Sequence, residues 1–251
     1  MDKASASTAA ATTYPTAELL RVEAMVSGYG NKQVLNEVDL QLARGEVVAV
    51  IGHNGAGKST LLKAIFGLIP VWSGRIVLGG KDIRSPAPRQ MLARGVCYLP
   101  QGNRVFADLS VRDNLQMGGI TLPDRAAVET GIERVVGQFP LLKARLKQPA
   151  GTLSGGERQM LALASSLMVD PRLLLLDEPS LGLSPRMVSE ALGRIAALVR
   201  DCGASVLIVE QKVREVLSIA HRVCVLRSGR VSFNSNANEL LDMAKLKEVY
   251  L

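Results

Sequence analysis

Two stretches of this 251-residue chain hold side chains whose types and spacing could do chemistry together. The apolar run Val47 to Ile51 stops at Gly52, and Gly52, Gly57, Lys58 and Ser59 fit the pattern GxxxxGK followed by Ser or Thr. Glycines at 52, 55 and 57 let the backbone curl through His53, Asn54 and Ala56 with its N–H groups inward. Such a concavity at a helix start suits phosphate oxygens. Lys58 then reaches the outer phosphates, Ser59 offers a hydroxyl to Mg2+, and Thr60 continues the helix start. A second apolar run, Leu173 to Leu176, delivers Asp177 and Glu178 at its carboxyl end, the edge at which open parallel sheets bind ligands. One carboxylate there can hold a cation through water while its neighbour, pointing the other way, orients or deprotonates an attacking water. In isolation, Asp177 and Glu178 would also read as a solvated acidic pair. The glycine loop upstream argues against that, because phosphoryl transfer needs both a phosphate cradle and a carboxylate for the metal.

A third stretch, LSGGERQ (Leu153 to Gln159), opens a helix whose Met160, Leu163, Ala164, Leu167 and Met168 share one apolar face before Asp170 and Pro171 end it. Ser154 with Glu157 matches a capping box, which accounts for the segment as a well-capped core helix. Gly155 and Gly156 also expose bare N–H groups at that helix start, which suits an anion. On the residues alone both readings stand. Tyr29, exposed in the turn-prone SGYGN, is likewise either a turn aromatic covering a sheet or a ring on which adenine stacks. The run Ala204 to Val209 ends at the same edge as Asp177, which brings Gln211 near the outermost phosphate. Its amide can donate one hydrogen bond and accept another without carrying charge.

Positioning these groups takes an α/β fold. Leu20, Val22, Ala24 and Val26 alternate with Arg21, Glu23 and Met25, and Val38, Leu40 and Leu42 alternate again. Two strands flanking a glycine turn predict an antiparallel sheet beside the phosphate-binding core. Helical spacing follows in Leu61, Leu62, Ile65 and Leu68, then a short strand and turn over Gly74 to Gly80. The run Val96 to Leu99 ends at Pro100 and Gln101. The next fifty residues change character: Ala126 to Phe139 and Leu141 to Lys147 are helix-like, with Pro123, Pro140 and Pro149 as punctuation. They read as a helical lobe over about 102–152 inserted into one domain over 18–251, behind a flexible tail over 1–17 rich in Ala, Ser and Thr.

Composition narrows the field less. With 47% apolar and 21% charged residues this is an ordinary globular protein, and no apolar run approaches the ~20 residues that span a bilayer. The net charge of +7 suits nucleic acid, anionic headgroups or a nucleotide as readily as a plain soluble surface. Only 4% aromatic residues argues against base-stacking platforms. Cys97, Cys202 and Cys224 are odd in number, far apart and set in apolar segments, which predicts a reducing compartment rather than a disulfide framework or a zinc site. The first residues show neither the basic start nor the continuous apolar centre of a signal peptide.

In its motifs the chain resembles the ATP-binding cassette (ABC) ATPases. GHNGAGKST is similar to the family's Walker A, Gln101 to its Q-loop glutamine, LSGGE to its signature and LLLLDEP to its Walker B, in the right order between about Leu19 and Leu251. The resemblance implies a P-loop NTPase (RecA-like) core with an N-terminal antiparallel β lobe and an inserted helical lobe. It implies ATP and Mg2+, with Ser59, Gln101 and Asp177 around the metal, Tyr29 against adenine, and Glu178 and Gln211 as catalytic residues. It also implies a head-to-tail dimer of identical or homologous ATPase subunits, in which Ser154, Gly155 and Gly156 of one close on the ATP held by Lys58 of the other.

Finer matches lie in YLPQGNRVFADLSVRDNL (Tyr98 to Leu115), DEPSLGLSP (Asp177 to Pro185), VEQ (Val209 to Gln211) and the ending VYL. These resemble the smaller-type ATPases of bacterial branched-chain amino-acid uptake transporters, whose relatives serve amides and urea. The resemblance implies a subunit at the cytoplasmic face of the bacterial inner membrane, bound to permeases and served indirectly by a periplasmic solute-binding protein, with no nucleic acid as partner. Two positions depart from the general cassette: Ser184 replaces the acidic residue that ends the D-loop, and Gln211 replaces the switch histidine. His53 and His221 do not occupy that position; the first reads as a loop residue facing away from phosphate, the second as a surface residue after a helix. A cassette protein of DNA repair or translation would share the ATP chemistry but usually carries large inserted arms, coiled coils or two cassettes. A small-molecule P-loop kinase would have no use for LSGGE.

Overall fold

The computed structural model describes residues 18–102 and 104–240; the tail expected over 1–17 and the terminal VYL lie outside the described residues. Along the chain run β1 (Glu18–Tyr29), β2 (Lys32–Ala43), β3 (Val47–Ile51), α1 (Lys58–Phe66), β4 (Val71–Leu78), β5 (Lys81–Asp82), α2 (Pro88–Ala93) and β6 (Val96–Leu99). Then follow α3 (Val111–Gly118), α4 (Arg125–Gln138), α5 (Pro140–Lys143), α6 (Gly155–Ser166), β7 (Leu173–Asp177), α7 (Pro185–Cys202), β8 (Ser205–Val209), α8 (Val213–Leu217), β9 (Arg222–Arg227) and β10 (Arg230–Asn236).

The central sheet has the order β10-β9-β3-β8-β7-β6, parallel except for β10 at its edge. β3, β7 and β8 are buried at every position, because alternate side chains feed cores on opposite faces. Val47, Ala49, Ile51, Leu174, Leu176, Val206 and Ile208 join the core formed with α6 and α7. Val48, Val50, Leu173, Leu175, Leu207 and Val209 join the one formed with α1 and the β1–β2 pair. The register sets Leu99 opposite Leu176, Asp177 opposite Val209 and Val50 opposite Val209, so the carboxyl ends of four strands share one edge. This α/β architecture, with a separate antiparallel sheet of order β2-β1-β4-β5, bears out the fold expected from the sequence.

Locally, three patterns differ from expectation. Ala24 has φ +43° at a register shift in both pairings of β1. A bulge of this kind moves the following side chains to the other face, so Ala24 is exposed and Met25 is buried. The bulge is held by the Ala24 N–H, which donates to Asp39 Oδ1 at 2.9 Å. α1 stops at Phe66 with Gly67 as its left-handed cap, and Leu68 lies beyond it, 49% exposed. Leu61, Leu62 and Ile65 are buried as their spacing predicts. α6 ends at Ser166, short of Asp170, and buries Gln159 to Ala164 without interruption, because it is covered by α3 as well as packed beside β6.

Between β6 and β7 the described chain forms α3, α4, α5 and α6. Ser110 caps α3 through a capping box with Asp113, and Asp124 caps α4. The helix-like stretch 141–147 is reduced to the one turn of α5, whose Leu142 is buried. Among the described residues no helix is long and apolar enough to cross a membrane.

Candidate functional site

β3 feeds the loop 52–57 at the shared sheet edge. Gly52 has φ +153°, and a Cβ there would lie 2.2 Å from the Leu226 carbonyl oxygen, so only glycine passes the end of β9. The Ala56 N–H donates to the His53 carbonyl at 3.1 Å, closing the turn. Gly57, at φ +105°, then starts α1 with no side-chain cap, which leaves the first-turn N–H groups for an anion. Lys58 is 5% exposed and folds back over the loop, its Nζ donating to the carbonyls of Gly52 (2.8 Å) and His53 (3.1 Å). Burial holds its ammonium below the usual lysine range, while Glu178 and Asp177 pull it back up.

The acidic pair is anchored by four side chains, from α1, β6 and two loops. Asp177 is buried at the end of β7; its Oδ1 accepts from the Ser59 hydroxyl at 2.8 Å and its Oδ2 from the Tyr98 hydroxyl at 3.0 Å. Burial, and then the neighbouring Asp177, push the Tyr98 phenol above its usual range. Glu178 takes the left-handed backbone region at φ +49°, uncommon for a residue with a side chain. Its Oε2 accepts from Gln101 Nε2 at 2.8 Å and its Oε1 from Gln211 Nε2 at 2.7 Å. Both oxygens of one buried carboxylate are thus oriented by neutral amides that reach it from different loops.

Ser59, Gln101, Glu178 and Gln211 line a cleft of about 500 Å³ together with Tyr29, Lys32, Val34, Asn54, Gly55, Gly57, Lys58 and Thr60, while Asp177 and Tyr98 do not line it and Asp177 lies buried behind Ser59. Tyr29 is 46% exposed at its mouth, its hydroxyl 3.5 Å from Thr60 Oγ1 and the Lys63 ammonium 6.0 Å from its ring centre. Gly52 and Ala56 shape the loop from behind, and His53 lines a second hollow of about 210 Å³ with Leu226, Arg227 and Ser228. Ser154, Gly155 and Gly156 do not line the cleft. Ser154 caps α6: its hydroxyl accepts from the Glu157 N–H at 3.3 Å, and Glu157 Oε2 accepts from the Ser154 N–H at 2.8 Å. That backbone hydrogen bond holds the Glu157 carboxyl below the usual carboxylate range.

His221 follows α8 on the surface, but it does more than the sequence shows. Its Nδ1 accepts from the Val47 N–H at 3.0 Å, and its own N–H donates to the Val47 carbonyl at 2.9 Å, tying β9 to the start of β3. Tyr98, Lys32 and Val34 also escaped the sequence reading. Tyr98 was legible in principle, because it sits one residue before the end of a strand parallel to the one delivering Asp177. Burial pushes the thiols of Cys97 and Cys224 up to about 12, whereas Cys202 is exposed at the end of α7.

Comparison with known proteins places this geometry. The sequence model of the ABC transporter family matches residues 35–181. A probable branched-chain amino acid transport ATP-binding protein, LivF, of Archaeoglobus fulgidus is 43% identical over 92% of this chain and 98% of its own length. The high-affinity branched-chain amino acid transport ATP-binding protein BraG of Pseudomonas aeruginosa is 39% identical over 93% of this chain and 99% of its own. Among solved structures, an ATP-binding cassette of an ABC transporter in its ADP conformation superposes with a TM-score of 0.84 at 26% identity, covering 93% of this chain and 98% of that one.

Proposed function

The chain belongs to the ABC transporter family as one of its ATPase cassettes, and we propose that it powers an importer of branched-chain amino acids or related amides. The observation that carries the chemistry is the sheet edge: a phosphate cradle beside Asp177, and beside that a second carboxylate, Glu178, held by two amides. In this reading the loop 52–57 and the start of α1 bind the β- and γ-phosphates of ATP. Lys58 exchanges its two carbonyl acceptors for phosphate oxygens, and Tyr29 stacks on adenine.

The oxygen donors fit Mg2+, a hard cation that takes one or two carboxylates together with substrate phosphates. Asp177 offers a carboxylate and Ser59 a hydroxyl already bonded to it. Gln101, which donates through Nε2, keeps its amide oxygen for the metal. Mg2+, when bound, neutralises charge on the phosphates. Glu178 orients the attacking water or takes its proton, and Gln211 holds Glu178 in line for that step.

Because Ser154, Gly155 and Gly156 stand off the cleft of their own chain, they serve the ATP of a second ATPase subunit, head to tail. Closure passes through Gln101 into the helical lobe over 102–152 and on to the permeases, at the cytoplasmic face of the inner membrane. A periplasmic solute-binding protein delivers the solute, which this chain never touches. The importer and its solute class are supported by the two relatives described above.

Glu178→Gln tests the reading. It should bind nucleotide, lose hydrolysis and become dimeric in light scattering at saturating MgATP, and cells carrying only this variant should lose uptake of labelled leucine. A variant that stays monomeric argues against the head-to-tail site, and retained uptake argues against the importer.

A further inference from the structure

Two loops flank the reacting carboxylate: residues 180–184, which follow it in the chain, and residues 210–212, which bring Gln211 to it. We infer that Glu210 and Lys212 are positioning residues that lock these loops together and thereby set the Glu178–Gln211 contact; this rests on the ATPase reading above. Glu210 is 1% exposed and does not line the cleft. Its Oε1 accepts from the Ser180 N–H at 2.8 Å and its Oε2 from the Gln211 N–H at 3.1 Å, and the Lys212 N–H bonds the same carboxylate. Lys212 then reaches back across the gap, its Nζ donating to the carbonyls of Ser180 (3.3 Å) and Leu183 (3.2 Å).

A carboxylate that deep is tolerated only when its oxygens are well satisfied. Here the partners are backbone N–H groups of the two loops on either side of Glu178. The main chain adds ties from the Glu178 N–H to the Val209 carbonyl (2.9 Å) and from the Glu210 N–H to the Val50 carbonyl (3.3 Å), and within the loops from Leu181 to Glu178 (3.1 Å), Leu183 to Ser180 (3.2 Å) and Val213 to Gln211 (3.0 Å), none of which joins residues 180–184 to residues 210–212. Between them Glu178 holds its left-handed φ, a conformation that persists only where the surroundings over-determine it. Gln211 is itself exposed, so the 2.7 Å contact of its amide with Glu178 depends on where its backbone is fixed. Glu210 fixes it, and fixes Ser180 with the same carboxylate. A displacement at the exposed Leu181 is therefore passed to Gln211 through two side chains rather than absorbed by the loop.

The test uses Glu210→Gln, which keeps the size but offers one accepting atom instead of two, so one loop loses its anchor. By hydrogen exchange on the purified full chain, peptides covering 178–184 and 209–213 should exchange faster than in wild type, with the rest unchanged. In the assembled transporter, turnover at saturating ATP should fall about tenfold to hundredfold, the scale for a reacting group slightly misplaced, while nucleotide affinity holds. Placed in a Gln211→Ala background, Glu210→Gln should add less than about twofold, because two changes acting through one contact are not additive. Lys212→Met should give a smaller loss of the same kind, and it stands in if Glu210→Gln does not fold. Wild-type exchange in both loops, wild-type turnover, or losses that multiply in the double variant would each overturn the inference. A wild-type transporter without ATP turnover would strike the ATPase reading instead, and the exchange measurement would still decide whether the two loops are locked.

Discussion

Gln211→Ala removes the donor that holds Glu178 Oε1 at 2.7 Å. A hydrogen bond to a charged group is worth about 1.5–3 kcal/mol, and if that stabilisation is lost only on the way to the transition state, turnover falls roughly 10- to 160-fold. The range brackets the ~10²-fold cost of losing one preorganised donor. Gln101 still holds Oε2 at 2.8 Å, so the carboxylate keeps one anchor. The phosphate cradle between Gly52 and Ser59 is untouched, so ATP affinity should stay within about twofold of wild type, well under the ~1.4 kcal/mol that a tenfold change represents. Phosphate release by the assembled transporter at saturating MgATP measures the first quantity, and equilibrium binding of a fluorescent ATP analogue measures the second. Wild-type turnover would show that the contact has no catalytic consequence. A loss of affinity as large as the loss of turnover would place Gln211 on the bound nucleotide itself.

Tyr29→Ala should weaken nucleotide binding by about 1–3 kcal/mol, the scale of base–aromatic stacking, with less effect on saturated turnover; unchanged affinity would return the ring to covering the sheet. His221→Ala should leave turnover at the wild-type level but cost about 0.5–1.5 kcal/mol of stability, because the Val47 N–H loses its acceptor. At ~2–4 °C per kcal/mol in a domain of this size, thermal melting resolves that cost, and an unshifted Tm would refute it. Glu157 is held below its ordinary value of 4.5 by the Ser154 N–H, so its contribution to stability is complete above about pH 4.5 and lost as pH falls through the depressed folded value. The Tm gap between wild type and Glu157→Gln should accordingly close on acidification, and a gap independent of pH would count against the capping box as its origin.

Much of this protein was legible in one dimension because the physics there is local. Glycines at 52, 55 and 57 followed by Lys58 and Ser59 set the backbone of a phosphate loop within eight residues, and apolar runs of four or five residues announced strands buried on both faces. The capping box at Ser154 and Glu157 spans three residues and formed as read. Where the reading slipped, the cause was contact between distant segments. The bulge at Ala24 answers to Asp39 and to pairing with β4, and α6 is buried over six successive residues because α3 covers it. The candidate site shows the same division. Residue types named Lys58, Asp177 and Glu178, but only the strand order β3-β8-β7-β6 brings Tyr98 against Asp177 across 79 residues and Gln211 against Glu178 across 33. No periodicity encodes a hydrogen bond between two sheet-edge loops. Glu210 and His221 looked ordinary in the sequence because their partners, Ser180 and Val47, lie 30 and 174 positions away, and which backbone N–H a side chain meets at that separation is decided by the packed sheet alone.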